Sequence, residues 1–238
     1  MKINKPYTIH TSRTIMYQEL SDLITLGTHE ERIIIAENVL KKASRSNLEK
    51  TLGFLSRIYD FNIQNELWKV FTYLWPFAEE KDKRLLTLLY ALKKDDLVRY
   101  SLKIVLDTPV GERLNLDSLK KALEEQYPAK YSPITLHSAA KNLASSWKQA
   151  GFIEGKVKRV RVRTKPGYIP VVFAIYLAYL FGERGENLFK TLWTRVLELS
   201  ESEIRKLLSE ATIRDILEYK YAGGITTISF EKLLNKIN

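Results

Sequence analysis

The chain has 238 residues, no cysteine and a formal net charge of +10. That length suffices for one large domain or for two to three small ones with a substantial buried core. The lack of cysteine excludes disulfides, thiolate zinc sites and a cysteine nucleophile. The three histidines lie far apart in sequence without the spacing of metal ligands, so we expect neither a metal site nor a cofactor.

Apolar residues at helical spacing predict consecutive amphipathic helices over the N-terminal part. Helices are expected near 63–75, 82–93 and 95–106. Their charged residues, including the neighbouring acids Asp95 and Asp96, are expected on solvated faces. The segment Asp107-Thr-Pro-Val-Gly-Glu112 interrupts the helical pattern, and the sequence therefore predicts an N-terminal helical domain at 1–107.

Residues 108–168 predict a winged-helix-like DNA-binding module. A short helix, Leu116 to Gln126, ends at Tyr127-Pro128, and Ser132-Pro133 supplies an N-cap with proline at the first position of a helix to Ala150. On a helical wheel one side of this second helix is apolar, and the other is small, polar and basic. The polar side carries Ser138, Lys141, Asn142, Ser145, Lys148 and Gln149.

The run Lys156 to Lys165 follows this helix and contains six positive charges and no acid. Its residues 160–163 alternate valine with arginine, as in a strand with one buried and one solvated face. Helix, turn, helix and basic β-ribbon is the pattern of a winged helix-turn-helix. In such a module one helix enters the major groove while the wing lies along phosphates.

The positive charge is concentrated in this region. Between Tyr127 and Tyr168 there are nine Lys or Arg and one acid, a net charge of +8 out of +10 for the chain. Such a local basic surface is typical of a polyanion-binding site. If six phosphates are neutralised, the slope of log affinity against log salt is expected at about −5 on duplex DNA. The predicted DNA-binding residues are Lys141, Asn142, Ser145, Lys148, Lys156, Lys158, Arg159, Arg161, Arg163 and Lys165.

Residues 169–238 predict a C-terminal helical domain with a short hairpin around Gly223-Gly224. The apolar run from Tyr168 to Phe181 has fourteen residues and contains a proline, whereas a membrane span needs roughly 20 residues, so we expect a buried helix and no integral membrane association. The N-terminus lacks the apolar segment of a signal peptide, and a cytoplasmic location is expected. The predicted fold is mainly α: a multi-helix bundle with a central winged helix-turn-helix-like module, a small β-wing and a C-terminal helical part.

Catalytic patterns are missing from the sequence. There is no Walker-type phosphate loop, no H-E-x-x-H and no G-x-S-x-G elbow, so we expect no enzyme activity. The basic run has alternative roles: it could dock an acidic surface of a partner protein, bind anionic lipid, or form a solvated edge strand that resists aggregation. Six like charges in ten residues repel one another unless an anionic partner relieves them, which favours nucleic acid.

Four segments in consistent order carry a resemblance to a known family. They are Arg32-Ile-Ile-Ile-Ala-Glu-Asn-Val-Leu-Lys-Lys-Ala-Ser-Arg45, Arg57-Ile-Tyr59, Gly151-Phe-Ile-Glu-Gly155 and Tyr221-Ala-Gly-Gly-Ile-Thr-Thr-Ile-Ser-Phe230. Together they resemble the BrxA family, small components of bacterial BREX phage-defence systems. The resemblance implies a soluble, mostly helical DNA-binding accessory protein without activity of its own. Double-stranded DNA and other BREX proteins are the partners that it implies.

Overall fold

The structure is a computed structural model that describes residues 7–27, 34–35, 37–62, 64–155 and 157–237. Within these residues lie eleven α-helices and two small antiparallel hairpins, and 61% of the described residues are helical. The predicted mainly-α class is therefore confirmed. The helices before residue 108 are α1 (Tyr17–Leu26), α2 (Arg45–Tyr59), α3 (Glu66–Leu74), α4 (Glu80–Lys94) and α5 (Asp96–Asp107).

The described chain forms two compact units. The first comprises Met1–Trp68 and Tyr90–Val162, and the second comprises Lys69–Leu89 and Arg163–Asn238. The chain passes between the units three times: within α3, within α4 and after Val162. The predicted division of the chain into 1–107, 108–168 and 169–238 stays a prediction.

Four helices of the first unit begin where the sequence supplies a capping side chain. Ser44 accepts a hydrogen bond from the backbone N–H of Asn47 at the start of α2, and Asp95 accepts from two backbone N–H groups at the start of α5. Asn115 does the same for α6 (Leu116–Gln126), and Ser132 for α7 (Pro133–Gln149). Each cap satisfies backbone donors that the first helical turn leaves unpaired.

Helix α7 is packed against α5, α6 and a small hairpin. The hairpin consists of β1 (Ile153–Glu154) and β2 (Val160–Arg161), which pair antiparallel. Trp147 lies fully buried on the packed side of α7, where its indole N–H donates to the Ser101 hydroxyl of α5 at 2.8 Å and its ring meets Phe152 edge-on. Burial of such an indole with its hydrogen bond satisfied fixes α7 relative to α5.

A third stretch of chain joins this hairpin. Arg113 forms an antiparallel bridge with Val160, and the backbone N–H of Leu114 donates to the Arg159 carbonyl at 3.0 Å. From α5 onward, the first unit therefore has the element order α5, short extended segment, α6, α7, β1, loop, β2. The extended segment between α5 and α6 covers the outer edge of β2.

The second unit is built around α8 (Tyr168–Leu180), of which ten consecutive residues are buried. Against it pack α9 (Leu192–Val196), α10 (Glu201–Ile213) and the 3-10 segment Gly185–Phe189. The last helix of the unit is α11 (Glu231–Asn235). No helix in the described part of the chain has both the length and the apolar character needed to cross a bilayer.

The C-terminal hairpin lies where the sequence predicts it. Strands β3 (Glu218–Ala222) and β4 (Ile225–Ser229) pair antiparallel, with Ala222 opposite Ile225. Gly223 and Gly224 both have positive φ, at 58° and 80°, which is the backbone of a tight two-residue turn that glycine adopts without strain.

Candidate nucleic-acid interface

Helix α7 presents a narrow exposed stripe opposite its buried side. The residues of this stripe recur at intervals of three or four and so lie on one line along the helix. Lys141 and Lys148 are exposed, and Ser145 between them is half-buried. Two residues outside the predicted set, Ile134 and His137, extend the stripe toward the N-terminus of α7 and are also exposed. Their spacing is a sequence signal that could have included them.

The hairpin brings basic residues beside this stripe. Its loop runs from Gly155 to Arg159, and both of these residues have positive φ, at 77° and 50°. Val157 and Lys158 are exposed in the loop, and Arg159 is half-buried. The positive φ values turn the chain tightly, so that Arg159 faces the helix at the base of the loop.

A groove of about 230 Å³ separates α7 from the hairpin. Lys141, Lys148 and Arg159 line it, and no acidic side chain is found among its described lining residues. The remaining lining residues are Ala144, Ser145, Ile153 and Gly155. The arrangement joins predicted residues from two elements into one positively charged concave surface.

A second groove of about 490 Å³ lies on the other side of Arg159. Arg113 and His137 line it together with Asn115, Leu116 and Asp117 at the start of α6. The sequence pattern did not indicate Arg113, because this residue lies in a short segment between helices and becomes part of the site only through its pairing with Val160. Arg159 thus links two adjoining grooves.

Arg161 is one of the predicted DNA-binding residues, but its side chain is buried, with 0% exposed. Its guanidinium donates to the carbonyl of Val105 at 3.0 Å and to that of Val162, and it lies 5.0 Å from the Phe152 ring centroid. In an alternating strand of valine and arginine the valines are expected on the buried face. At position 161 the arginine is the buried residue, and its neighbours Val160 and Val162 are half-buried. A buried guanidinium needs such acceptors, since without them its desolvation would be costly. Arg161 stabilises the base of the hairpin and is not presented to a ligand.

Three more predicted residues of the basic run lie outside this described site. Lys156 is outside the residues that the structure describes. Arg163 and Lys165 are exposed, and they belong to the second unit. Within the first unit the exposed or half-exposed cations of the predicted set are Lys141, Lys148, Lys158 and Arg159.

Asn142 is engaged within the protein. Its side-chain N–H donates to the backbone carbonyl of His10 at 2.8 Å. The neighbouring Ser145 hydroxyl accepts a long contact of 3.5 Å from Gln149. Asn142 therefore attaches an N-terminal segment to the side of α7, and Ser145 is the small residue that leaves the groove open.

A buried hydrogen-bond network continues this attachment. His10 Nδ1 lies 2.8 Å from the Asp95 carboxylate, and His10 Nε2 lies 2.9 Å from the Ser146 hydroxyl. All three side chains are fully buried, which overturns the expectation that Asp95 lies on a solvated face. Burial raises the pKa of Asp95, but His10 and backbone N–H groups outweigh that effect and hold it below its ordinary value.

His10, Asp95 and Ser146 are the residue types of a serine-hydrolase triad, but the serine is not accessible to a substrate. The Ser146 hydroxyl accepts from the backbone N–H of Ile15 at 3.0 Å and donates to the Asn142 carbonyl at 2.9 Å. A nucleophile needs an exposed oxygen, and Ser146 is 0% exposed. The network instead joins the N-terminal segment, the start of α5 and α7.

Comparisons with protein-family models and with curated proteins give no match to this chain. Among the described residues, no group of three or more His, Asp or Glu side chains is arranged to hold a metal ion. The candidate site therefore rests on its own geometry: a stripe on α7, a basic loop and the groove between them.

Proposed function

We propose that this chain is a non-catalytic protein that binds duplex DNA through α7 and the β1–β2 hairpin. The observation that carries the proposal is the groove lined by Lys141, Lys148 and Arg159 without a carboxylate. In this arrangement α7 lies in the major groove and the hairpin loop lies along the neighbouring phosphates. Lysine and arginine side chains held on two elements that meet at one surface suit a polyanion.

The element order of the first unit supports a winged helix-turn-helix. Helices α5, α6 and α7 are followed by a two-stranded hairpin, and a short extended segment between α5 and α6 pairs with the second strand. This is the order in which a winged module places its wing beside the recognition helix. The exposed stripe of α7 occupies the position of the recognition surface.

We propose little sequence preference for this binding. Phosphate contacts position a protein on DNA without reading its bases, and the described cations of the predicted set belong to flexible side chains suited to phosphates. Asn142, the side chain best suited to reading adenine, is instead bonded to His10. Ser145 lies in the groove and is short.

The experiment is a titration of random-sequence duplex DNA at several salt concentrations. Four cations of the predicted set lie in the first-unit site, so these four contacts are expected to contribute about −3.6 to the slope of log affinity against log salt. Replacing Lys141, Lys148, Lys158 and Arg159 by alanine should remove most of the slope. A matched control replaces the exposed Lys50, Lys190, Lys206 and Lys220, which gives the same change in net charge. Equal effects of the two variants would contradict the proposal.

The resemblance to the BrxA family supports a role for this DNA binding in BREX phage defence, beside other BREX proteins. We propose that the chain is an accessory factor whose DNA contact is required for defence. The test is complementation of a deletion strain with the four-alanine variant. Phage restriction should be lost with this variant and retained with the control variant, at equal protein levels.

A further inference from the structure

The exposed stripe of α7 has a second flank, on the side away from the hairpin. The segment 7–17 runs along this flank, held by the contact from Asn142 to the His10 carbonyl. Further along α7, the backbone N–H of Ile15 donates to Ser146 at 3.0 Å, and that of Tyr17 donates to Gln149 at 3.0 Å. An α-helix turns about 100° per residue. Asn142, Ser146 and Gln149 therefore lie to one side of Lys141 on α7. Ala144, which lines the hairpin groove, lies to the other side.

This second flank carries a pair of arginines around an aromatic ring. The guanidinium carbon of Arg13 lies 5.0 Å from the centroid of the Phe54 ring, and that of Arg57 lies 4.9 Å from it. Neither guanidinium forms an ion pair with an acid among the described residues. Two positive charges are thus held around one ring without a direct ion pair, and such a pair of guanidinium groups suits an anion.

The ring also restricts both side chains. Stacking on an aromatic face reduces the number of rotamers that an arginine samples, so less conformational entropy is lost when it binds. The planar guanidinium donates two parallel hydrogen bonds to phosphate. The pair is thus preorganised for phosphate.

We infer that Arg13 and Arg57 form a phosphate clamp on the flank of α7 opposite the hairpin. The major groove of B-DNA is about 12 Å wide and is bordered by one phosphate backbone on each side. A helix with its side chains has a similar diameter, so flanking groups on both sides reach both strands. The hairpin binds one strand and the clamp binds the other. The clamp rests on the proposed function, because it binds the second strand of the same duplex.

The buried network explains how the clamp is held in place. His10 lies three residues before Arg13, and its ring contacts Asp95 on one side and Ser146 on the other. The backbone N–H groups of Ser12 and Arg13 both donate to the Ile9 carbonyl at 2.8 Å, which forms a tight turn. The position of Arg13 relative to α7 is therefore set by buried contacts.

The test compares the salt dependence of DNA binding for R13A/R57A with that of a control, R45A/R214A. Both control arginines are exposed, and each pairs with a glutamate four residues away. Removing two phosphate contacts should reduce the magnitude of the salt slope by about 1.8. Affinity for random duplex DNA at low salt should fall roughly tenfold or more, and the control should stay within about twofold of wild type.

A second variant separates charge from packing. R13Q/R57Q retains most of the aliphatic contact with Phe54, and the magnitude of its salt slope should fall as much as that of R13A/R57A. R13K/R57K retains both positive charges and should show the wild-type salt slope. A wild-type slope in R13Q/R57Q, together with a reduced slope in K158A/R159A, would overturn the clamp and leave the proposed function standing. Absence of salt-dependent DNA binding by the wild-type protein would overturn both.

Discussion

The imidazole Nε2 of His10 lies 2.9 Å from the hydroxyl of Ser146, although 136 positions separate the two residues in the chain. This contact attaches the N-terminal segment to the buried side of α7, whose opposite side forms the candidate site. The Ser146 oxygen also accepts from Ile15 N–H at 3.0 Å. Ser146 is therefore a structural residue beneath the candidate site.

Replacing Ser146 with alanine should destabilise the first unit. The substitution removes the acceptor of the buried Ile15 N–H and the hydrogen-bond partner of His10 Nε2. The unfolding free energy should fall by roughly 1–3 kcal/mol, because buried polar groups lose their hydrogen bonds. Thermal and denaturant unfolding measure the loss. The exposed Ser118 on α6 provides the control, because S118A changes no described buried hydrogen bond. A stability of S146A equal to that of S118A would contradict this role.

Asp95 should make stability depend on pH in the acid range. Its folded-state pKa lies below the ordinary value, so its contribution is fully present above the unfolded pKa of about 3.9 and is lost as pH falls through the folded pKa. The difference in unfolding free energy between wild type and D95N should therefore shrink over that acid range.

Chemical denaturation at several pH values measures this difference for D95N. The control is E124Q, which removes the charge of an exposed glutamate on α6. The difference in unfolding free energy between E124Q and wild type should stay small at every pH. A constant difference between wild type and D95N across the acid range would show that the carboxylate charge of Asp95 is not stabilising.

Local pattern predicted much of the fold, and distant contacts decided the rest. The N-cap at Ser132, the polar stripe of α7 and the Gly223-Gly224 hairpin follow from residues close together in sequence. Alternation at 160–163 predicted two faces but not which one is buried, because the decisive acceptor, the Val105 carbonyl, lies 56 residues away from Arg161. The places of His10 and Arg113 depend equally on partners that no local pattern reveals.

Arg161 should affect stability and not the salt dependence of DNA binding. R161A removes hydrogen bonds from a buried charged group to two carbonyls, and a loss of roughly 2–3 kcal/mol in unfolding free energy is expected. R161M keeps more of the volume beside Phe152 and should lose less.

Denaturant unfolding and DNA titration on the same samples check the Arg161 prediction. The comparison variant is R159A, since Arg159 lines the groove between α7 and the hairpin. R159A should lower the magnitude of the salt slope by about 0.9, and R161M should leave the slope unchanged. A reduced slope in stable R161M would place the Arg161 guanidinium on phosphate.

Ser145 provides the most selective test of the groove, because it lies between Lys141 and Lys148 and its small side chain keeps the surface open. S145E places a carboxylate beside both lysines. It should pair with them and repel phosphate, lowering duplex affinity at least tenfold at low salt, by about 1.4 kcal/mol or more. The helix itself tolerates glutamate, so thermal unfolding should change little.

The control S118E puts the same charge on an exposed position of α6. Equal loss of affinity in S145E and S118E would show that general charge, and not the groove between α7 and the hairpin, governs binding.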